Sequence, residues 1–329
     1  MKRTLLMLGL VIPVLVPCYA QAQADTSGAA KPITQMMFST PQAAVEMLIK
    51  ATGDYDVPTL MQIFGPSGED FIASADPVQD KNASMAFAEL ARKKNTVDVD
   101  PKKPSRATII VGDNDWPFPV PLVKKSGKWQ FDSAAGRTEV LHRRIGANEL
   151  DAIQVCRGYV EAQHQYALTI HDDSGVNQYA QRIISTPGKQ DGLYWQNADG
   201  TSGGPISEAV AKAIEEGYTV DRKSAYHGYY FKILKGQGSA APLGKLDYVI
   251  QGAMIGGFAL IAAPAEYLVT GVKTFIVGPQ GIVYEKDLGP DTLKVAKGID
   301  LFDPDSTWHA TNDQWPSDMD ADSSATVKQ

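Results

Sequence analysis

Val120-Pro-Leu-Val-Lys-Lys-Ser-Gly-Lys-Trp-Gln-Phe-Asp132 decides how the first half of this chain folds. Its two arms, Val120–Lys124 and Lys128–Asp132, read as strands, and Ser126-Gly127 supplies the turn between them. Upstream, Thr96–Val99 and Arg106–Gly112 are further strand runs, which makes this region an antiparallel meander. Three helix patterns precede it. Ser39-Thr40-Pro41 places a hydroxyl at the cap and proline at the first helical position, and Ala44, Val45, Leu48 and Ile49 recur at helical spacing. Pro58–Phe64 is a second helix, stopped by Gly65-Pro66. Asp80–Lys93 is a third, with Met85, Ala88 and Leu90 facing inward. Helices followed by a meander predict an α+β cone over residues 38–145.

Beyond the hairpin, Asn148 reads as the cap of a long helix, with Asp151 approximating a capping box. Leu150, Ile153, Cys156, Val160 and Ala167 form its apolar stripe. Residues 171–204 are polar and rich in Gly, Asp and Asn, and predict a long ordered loop. Ile206–Glu216 is a further helix, ended by Gly217. From Tyr226 the pattern turns to β: Tyr229–Leu234, Tyr248–Ile250, Gly257–Ala263, Gly271–Val277 and Ile282–Glu285. Thr292–Lys297 adds a short helix. The expected second unit, residues 146–303, is a long helix packed on an antiparallel sheet, followed by a polar acidic tail over 304–329.

The amino terminus predicts an address. Lys2 and Arg3 precede the apolar run Leu5 to Val16, and Ala20-Gln21-Ala22 and Ala22-Gln23-Ala24 are small-x-small cleavage sites. This is the order of a secretory signal peptide over residues 1–24, too short to span a bilayer. Residues 25–37 read as a disordered lead-in. The mature chain is expected to be periplasmic or secreted, without a transmembrane segment. Cys18, preceded by Pro17 rather than a small flexible residue, fits a lipid-anchoring site poorly and leaves with the leader. Cys156 is then alone, so no intramolecular disulfide forms.

The net charge of the 329-residue chain is −7, and hydrophobic residues make up 43% of it. That balance describes a globular protein and gives no basic stripe for nucleic acid. Part of the negative charge lies in the tail, at Asp313, Asp318, Asp320 and Asp322.

Several stretches carry a resemblance. They are Trp116-Pro-Phe-Pro119, Arg143-Arg-Ile-Gly-Ala-Asn-Glu149, Arg182 to Trp195, His227-Gly-Tyr-Tyr-Phe-Lys-Ile-Leu234, Gly256 to Tyr267, Gly271 to Val277 and Val283 to Gly289. Together they resemble the bacterial exported family known as domain of unknown function 2950, over roughly residues 38–310. The resemblance implies export and carries no activity, cofactor or catalytic residue. At the level of element order alone, the first half is similar to nuclear-transport-factor-like cones. The order of Tyr229–Ile233, Ala262–Pro264, Thr270–Ile276 and Gly281–Tyr284 is similar to pseudopilin globular heads. The leader lacks a pilin processing site, so any such likeness concerns the head alone.

Standard catalytic motifs are missing: there is no His-Glu-x-x-His, Gly-x-Ser-x-Gly, Ser-x-x-Lys or phosphate loop. Gly236-Gln-Gly238 opens no helix and reads as a turn. Cys156 lies on an apolar helix face and reads as core. His171-Asp172-Asp173 and Asp113-Asn114-Asp115 read as solvated turns, because adjacent residues do not converge on one ion without a curled loop. One ring of the pair Tyr229 and Tyr230 should point inward.

The loop Pro187 to Trp195 is the best binding candidate. In one reading Tyr194 and Trp195 stack on a sugar or peptide of the envelope, while Lys189 and Asp191 orient it; in the other, the loop caps the sheet. His227 completes the set. The expected function is a non-catalytic binding or assembly module of the cell envelope, with an unknown envelope protein or glycan as partner. The alternative is a periplasmic hydrolase using Asp191 and His227 in a cleft between the halves. A weaker option is a small ligand inside the first domain, lined by Phe64, Phe87 and Trp129.

Overall fold

The computed structural model describes residues 34–171, 175–218 and 224–312. The leader, most of the lead-in, Asp172-Asp173 and the four tail aspartates lie outside the described residues. The expected α+β class is borne out.

Helices α1 (Pro41–Gly53), α2 (Val57–Phe64), α3 (Glu69–Ile72) and α4 (Pro77–Lys93) come first. Three of them start the same way. The side chains of Thr40, Asp56 and Asp76 accept from the backbone N–H three residues on, and a proline occupies the first turn each time. The cap of α4 is thus Asp76, with Pro77 beside it, and the helix starts three residues before the Asp80 expected. Its buried face is Asp80, Ala88 and Ala91, whereas Met85 and Leu90 are exposed. Small residues let α4 lie close against α1, and the larger side chains are turned to solvent.

The first sheet is antiparallel, in the order β1 (Asn95–Val99), β2 (Arg106–Val111), β4 (Leu122–Lys125), β5 (Lys128–Phe131), with the short β3 (Trp116–Pro117) paired to β2. The hairpin expected between β4 and β5 is present. Ser126 and Gly127 have φ of 49° and 82°, the two left-handed residues of a turn whose twist matches its strands. Phe131 from β5 meets Phe64 and Phe118, and these rings sit in the first core with Leu48, Ile63 and Leu122.

The long helix differs from expectation. α5 runs from Ser133 to Tyr166, with Asp132 accepting from Ala135 N at its start. Asn148 is a buried residue in the middle of it, so the expected boundary at residues 145 and 146 falls inside one helix. Leu150, expected on the apolar stripe, is 57% exposed. Ile153, Cys156 and Val160 are buried as expected. At 1.5 Å per residue the helix spans about 51 Å, long enough to serve two cores in succession.

Its second half packs on the second sheet, antiparallel throughout. In order, that sheet holds β6 (Tyr229–Leu234), β7 (Ala259–Pro264), β8 (Lys273–Val277), β9 (Val283–Asp287) and β10 (His309–Ala310). Every residue of β7, the strand between β6 and β8, is buried. Its second face is covered by α7 (Thr292–Gly298), Leu293 and Ala296 joining the core. Tyr229 is buried and Tyr230 half-exposed, as alternation requires. β10 recruits into the sheet residues that the composition assigns to the tail. Helix α6 (Ser207–Glu215) follows the long loop, in which Trp195–Gln196 and Ser202–Gly203 form a small ribbon.

Candidate functional site

An open hollow lies against the first core. A cavity of about 340 Å³ opens between α4, α5 and the sheet, within the roughly 300–1,000 Å³ of small-molecule sites. Its apolar wall combines Leu48 from α1, Phe64 from α2, Phe71 from α3, Phe87 from α4, and Phe118 with Val120 from the sheet region. The phenylalanines touch one another: Phe64 and Phe71 have centroids 5.2 Å apart, and Phe87 and Phe118 5.0 Å. Phe64 and Phe87 were expected to line such a hollow, but Trp129 does not. It packs in the same core one step nearer the hairpin, where Phe38 pairs with its backbone and Lys124 lies over its ring.

The polar wall comes from α4 and α5. Asp80 accepts from Ser74 N and Oγ and pairs with Arg144 at 3.3 Å, and Arg144 also donates to the carbonyls of Asp70 and Phe71. Burial raises the Asp80 pKa, against the opposing pull of Arg144 and the Ser74 hydrogen bonds. At the opening stand Ala83, Ala147, Trp116 and Arg143, all exposed or half-exposed. The Arg143 guanidinium lies 4.8 Å from the Trp116 ring centroid, and donates from Nε to Glu139 (2.7 Å) and from Nη1 to the Pro117 carbonyl (3.2 Å).

The deciding residues of α5 are Val140, Arg143, Arg144, Ala147 and Asn148, the i, i+3, i+4, i+7, i+8 stripe of one helix face. That spacing was available in the sequence. It was hidden because residues 133–147 do not read as helix and the stripe is mixed in polarity.

The residues singled out from the sequence are distributed otherwise. Asp191 accepts from Thr186 N and Oγ1, both at 2.7 Å, and faces Arg182 at 3.5 Å. Burial opposes its charge, but these hydrogen bonds and Arg182 prevail and lower its pKa. Lys189 is exposed, and its backbone N–H closes a turn onto Thr186. Tyr194 is buried, with its hydroxyl 3.3 Å from Ser202 Oγ. Trp195 is half-buried beside His171 (5.4 Å between centroids), which itself stacks on Tyr166 at 3.9 Å. So Lys189, Asp191, Tyr194 and Trp195 share one loop, whose aspartate holds the loop's own backbone.

His227 belongs to another cluster. Tyr226 to Tyr229 is a tight turn in which His227 and Gly228 have φ of 48° and 74°. Gly228 is required there, since a Cβ would lie 2.5 Å from Asn148 Nδ2. The turn aims His227 Nδ1 at Asp151 (2.7 Å) and Nε2 at Glu216 (3.4 Å). Burial lowers the imidazole pKa, but Asp151 and then Glu216 overcome it, and the net shift is upward. An imidazolium clamped at both nitrogens has no lone pair to accept a proton. Asp191 and His227 are thus committed to different partners, and neither borders the cavity.

Beside His227 lies the fully buried Asp76. One carboxylate oxygen caps α4, and the other accepts from Tyr218 Oη (2.9 Å) and Gly228 N (3.0 Å). Gln79 donates to Asn148, and Asn148 donates to the Thr270 carbonyl. Cys156 is fully buried, and burial pushes its thiol up to about 12, which removes it as a nucleophile. Among the described residues no group of three or more His, Cys, Asp and Glu side chains is arranged to hold a metal ion. No described helix is long and apolar enough to cross a membrane.

The model of the protein family of unknown function DUF2950 matches residues 35–311 of this chain. The chain belongs to the DUF2950 family. That match spans both cores, the cavity and the His227 cluster, so all of these lie within the DUF2950 region. No curated protein and no solved structure is similar to this DUF2950 chain at a significant level. The cone-like and pseudopilin-like comparisons therefore rest on element order alone.

Proposed function

We propose that this DUF2950 protein is an exported, non-catalytic binding module of the cell envelope whose ligand seat is the cavity between α4, α5 and the first sheet. The observation that carries this reading is the cavity itself. Five aromatic rings and an Asp80–Arg144 pair line a hollow that opens to solvent beside the packed core. The rim supports access, because Ala83 and Ala147 leave the mouth uncovered. Export is supported by the leader pattern of Lys2 to Ala24. A non-catalytic role fits side chains that are engaged with one another, with no nucleophile and base paired beside the hollow among the described residues.

The test uses N-phenyl-1-naphthylamine, a neutral apolar fluorophore, with the mature protein. One equivalent should bind with enhanced emission. Ala147→Trp, a substitution at an exposed rim position of α5, should block it while leaving the thermal midpoint within a few degrees. No binding by the wild type, or equal binding by the plugged variant, would remove the cavity from the reading.

A second reading keeps recognition on the loop from Lys189 to Trp195. It is favoured by the half-buried Trp195 ring, set beside His171 and Tyr166 as a small aromatic terrace suited to a sugar or peptide. Trp195→Ala should then abolish retention on an envelope glycan or peptide and leave naphthylamine binding intact.

A further inference from the structure

We propose that the cavity takes the apolar chain of a single-chain amphiphile whose anionic head group rests on Arg143 at the rim. This rests on the cavity reading above and adds the chemistry of its ligand. The inner wall offers almost nothing to a polar molecule. Thr52 Oγ1 and Ser84 Oγ donate to main-chain carbonyls, Gln79 donates to Asn148 and Asn148 to the Thr270 carbonyl, and Asp80 and Arg144 are paired. What remains facing the hollow is the phenylalanine surface, which suits methylene or aromatic groups.

At the rim the situation reverses. Arg143 is held from three sides, by Glu139, by the Pro117 carbonyl and by the Trp116 face, and its Nη2 has no acceptor among the described residues. A guanidinium fixed in position with N–H groups still to donate is preorganised for a carboxylate, sulfate or phosphate.

The free donor of Arg143 decides the sign of the head. The lining charges of Arg143, Arg144 and Asp80, taken with the Glu139 that pairs with Arg143, sum to zero, so the pull on an anion is the unused Nη2 donor of Arg143 and not an excess of positive charge. A cationic head would find no carboxylate there that is not already paired with a guanidinium, despite the aromatic rings. Those rings also contact one another as a wall and do not stand apart as a cage. The ligand is thus an anionic amphiphile, drawn as a free monomer, because a hollow of about 340 Å³ has the size of a single small-molecule site.

Displacement of bound N-phenyl-1-naphthylamine separates the possibilities. Dodecanoate, dodecanol and dodecyltrimethylammonium share a chain and differ in the head. Dodecanoate should displace the probe at about tenfold lower concentration than dodecanol, the scale of one charge-assisted hydrogen bond, with the ammonium compound weakest. Arg143→Gln should erase the advantage of dodecanoate and leave dodecanol unchanged, and Arg143→Lys should restore part of it. Equal displacement by all three heads, or preference for the cation, would overturn the anionic assignment while the cavity stands. Binding to phosphatidylglycerol vesicles without displacement by dodecanoate would overturn the free monomer. Should Arg143→Gln fold poorly, the head-group comparison on the wild type still decides. If the probe itself never binds, the underlying cavity reading has failed instead.

Discussion

Gly136 marks the closest approach of α5 to the first sheet. A Cβ there would lie 2.7 Å from Val120 Cα and 2.9 Å from the Pro119 carbonyl oxygen, and main-chain atoms have no rotamer in which to retreat. Gly136→Ala should therefore destabilise by about 1–3 kcal/mol through overpacking, although alanine is the better helix former. Gly146, ten residues on in the same helix, meets nothing within 4 Å of such a Cβ. Gly146→Ala should stabilise by up to about 1 kcal/mol, as expected for an unobstructed helix position. Urea midpoints of the two variants test the pair, and a Gly136→Ala protein as stable as wild type would show that the sheet yields. The same close packing explains Cys156. Its thiol is fully buried and its pKa is raised, so this cysteine is spent on the core of the second half.

At the scale of elements, what the sequence revealed follows from where water lies. Strands β4, β5 and β6 and the turn at Ser126-Gly127 were legible because alternation and a two-residue turn are local signals. The first half of α5 was not legible. Its inward face lines a cavity and a polar junction, so Arg143, Arg144 and Asn148 stand where apolar periodicity is sought, and Gly136 and Gly146 dilute the helical pattern. The stretch from Pro187 to Trp195 is a loop as its composition suggests, yet its aspartate is spent on the loop's own backbone, which composition alone does not disclose. The start of α4 was legible in Asp76-Pro77, the same cap-and-proline pair as Thr40-Pro41. What the sequence hid is that Asp76 serves three donors from three elements, Gln79 N, Tyr218 Oη and Gly228 N. Asp76→Ala strands all three in a buried setting and should cost about 3–5 kcal/mol. Asp56→Ala removes an exposed cap and should cost much less. Equilibrium unfolding by urea compares them, and equal losses would reduce Asp76 to an ordinary cap.

For the whole molecule, the consequence is that the two cores are coupled by a polar seam and not by apolar packing alone. Asn148 bridges Gln79 and the Thr270 carbonyl, Glu149 accepts from Val272 N and Lys273 N, and Asp76 holds the turn that carries His227. His227 extends this seam between α5 and α6 through Asp151 and Glu216. Its ring stacks on Tyr226 at 4.2 Å and lies 5.9 Å from Tyr218, and both phenols are raised in pKa by burial and then by the surrounding carboxylates, so they stay neutral near pH 7. Because the folded pKa of His227 is raised above its ordinary value of 6.5, the folded state holds the proton more tightly than the unfolded chain. The stabilisation is therefore complete below pH 6.5 and is lost as the pH rises through the folded pKa. His227→Gln keeps a donor for Asp151 but removes the titration. Urea midpoints of wild type and variant should differ most at mildly acidic pH and converge on the alkaline side, where the imidazole of the wild type is neutral. A difference that stays constant across that range would show that His227 acts by shape alone, and that the seam between the cores carries no proton-dependent link.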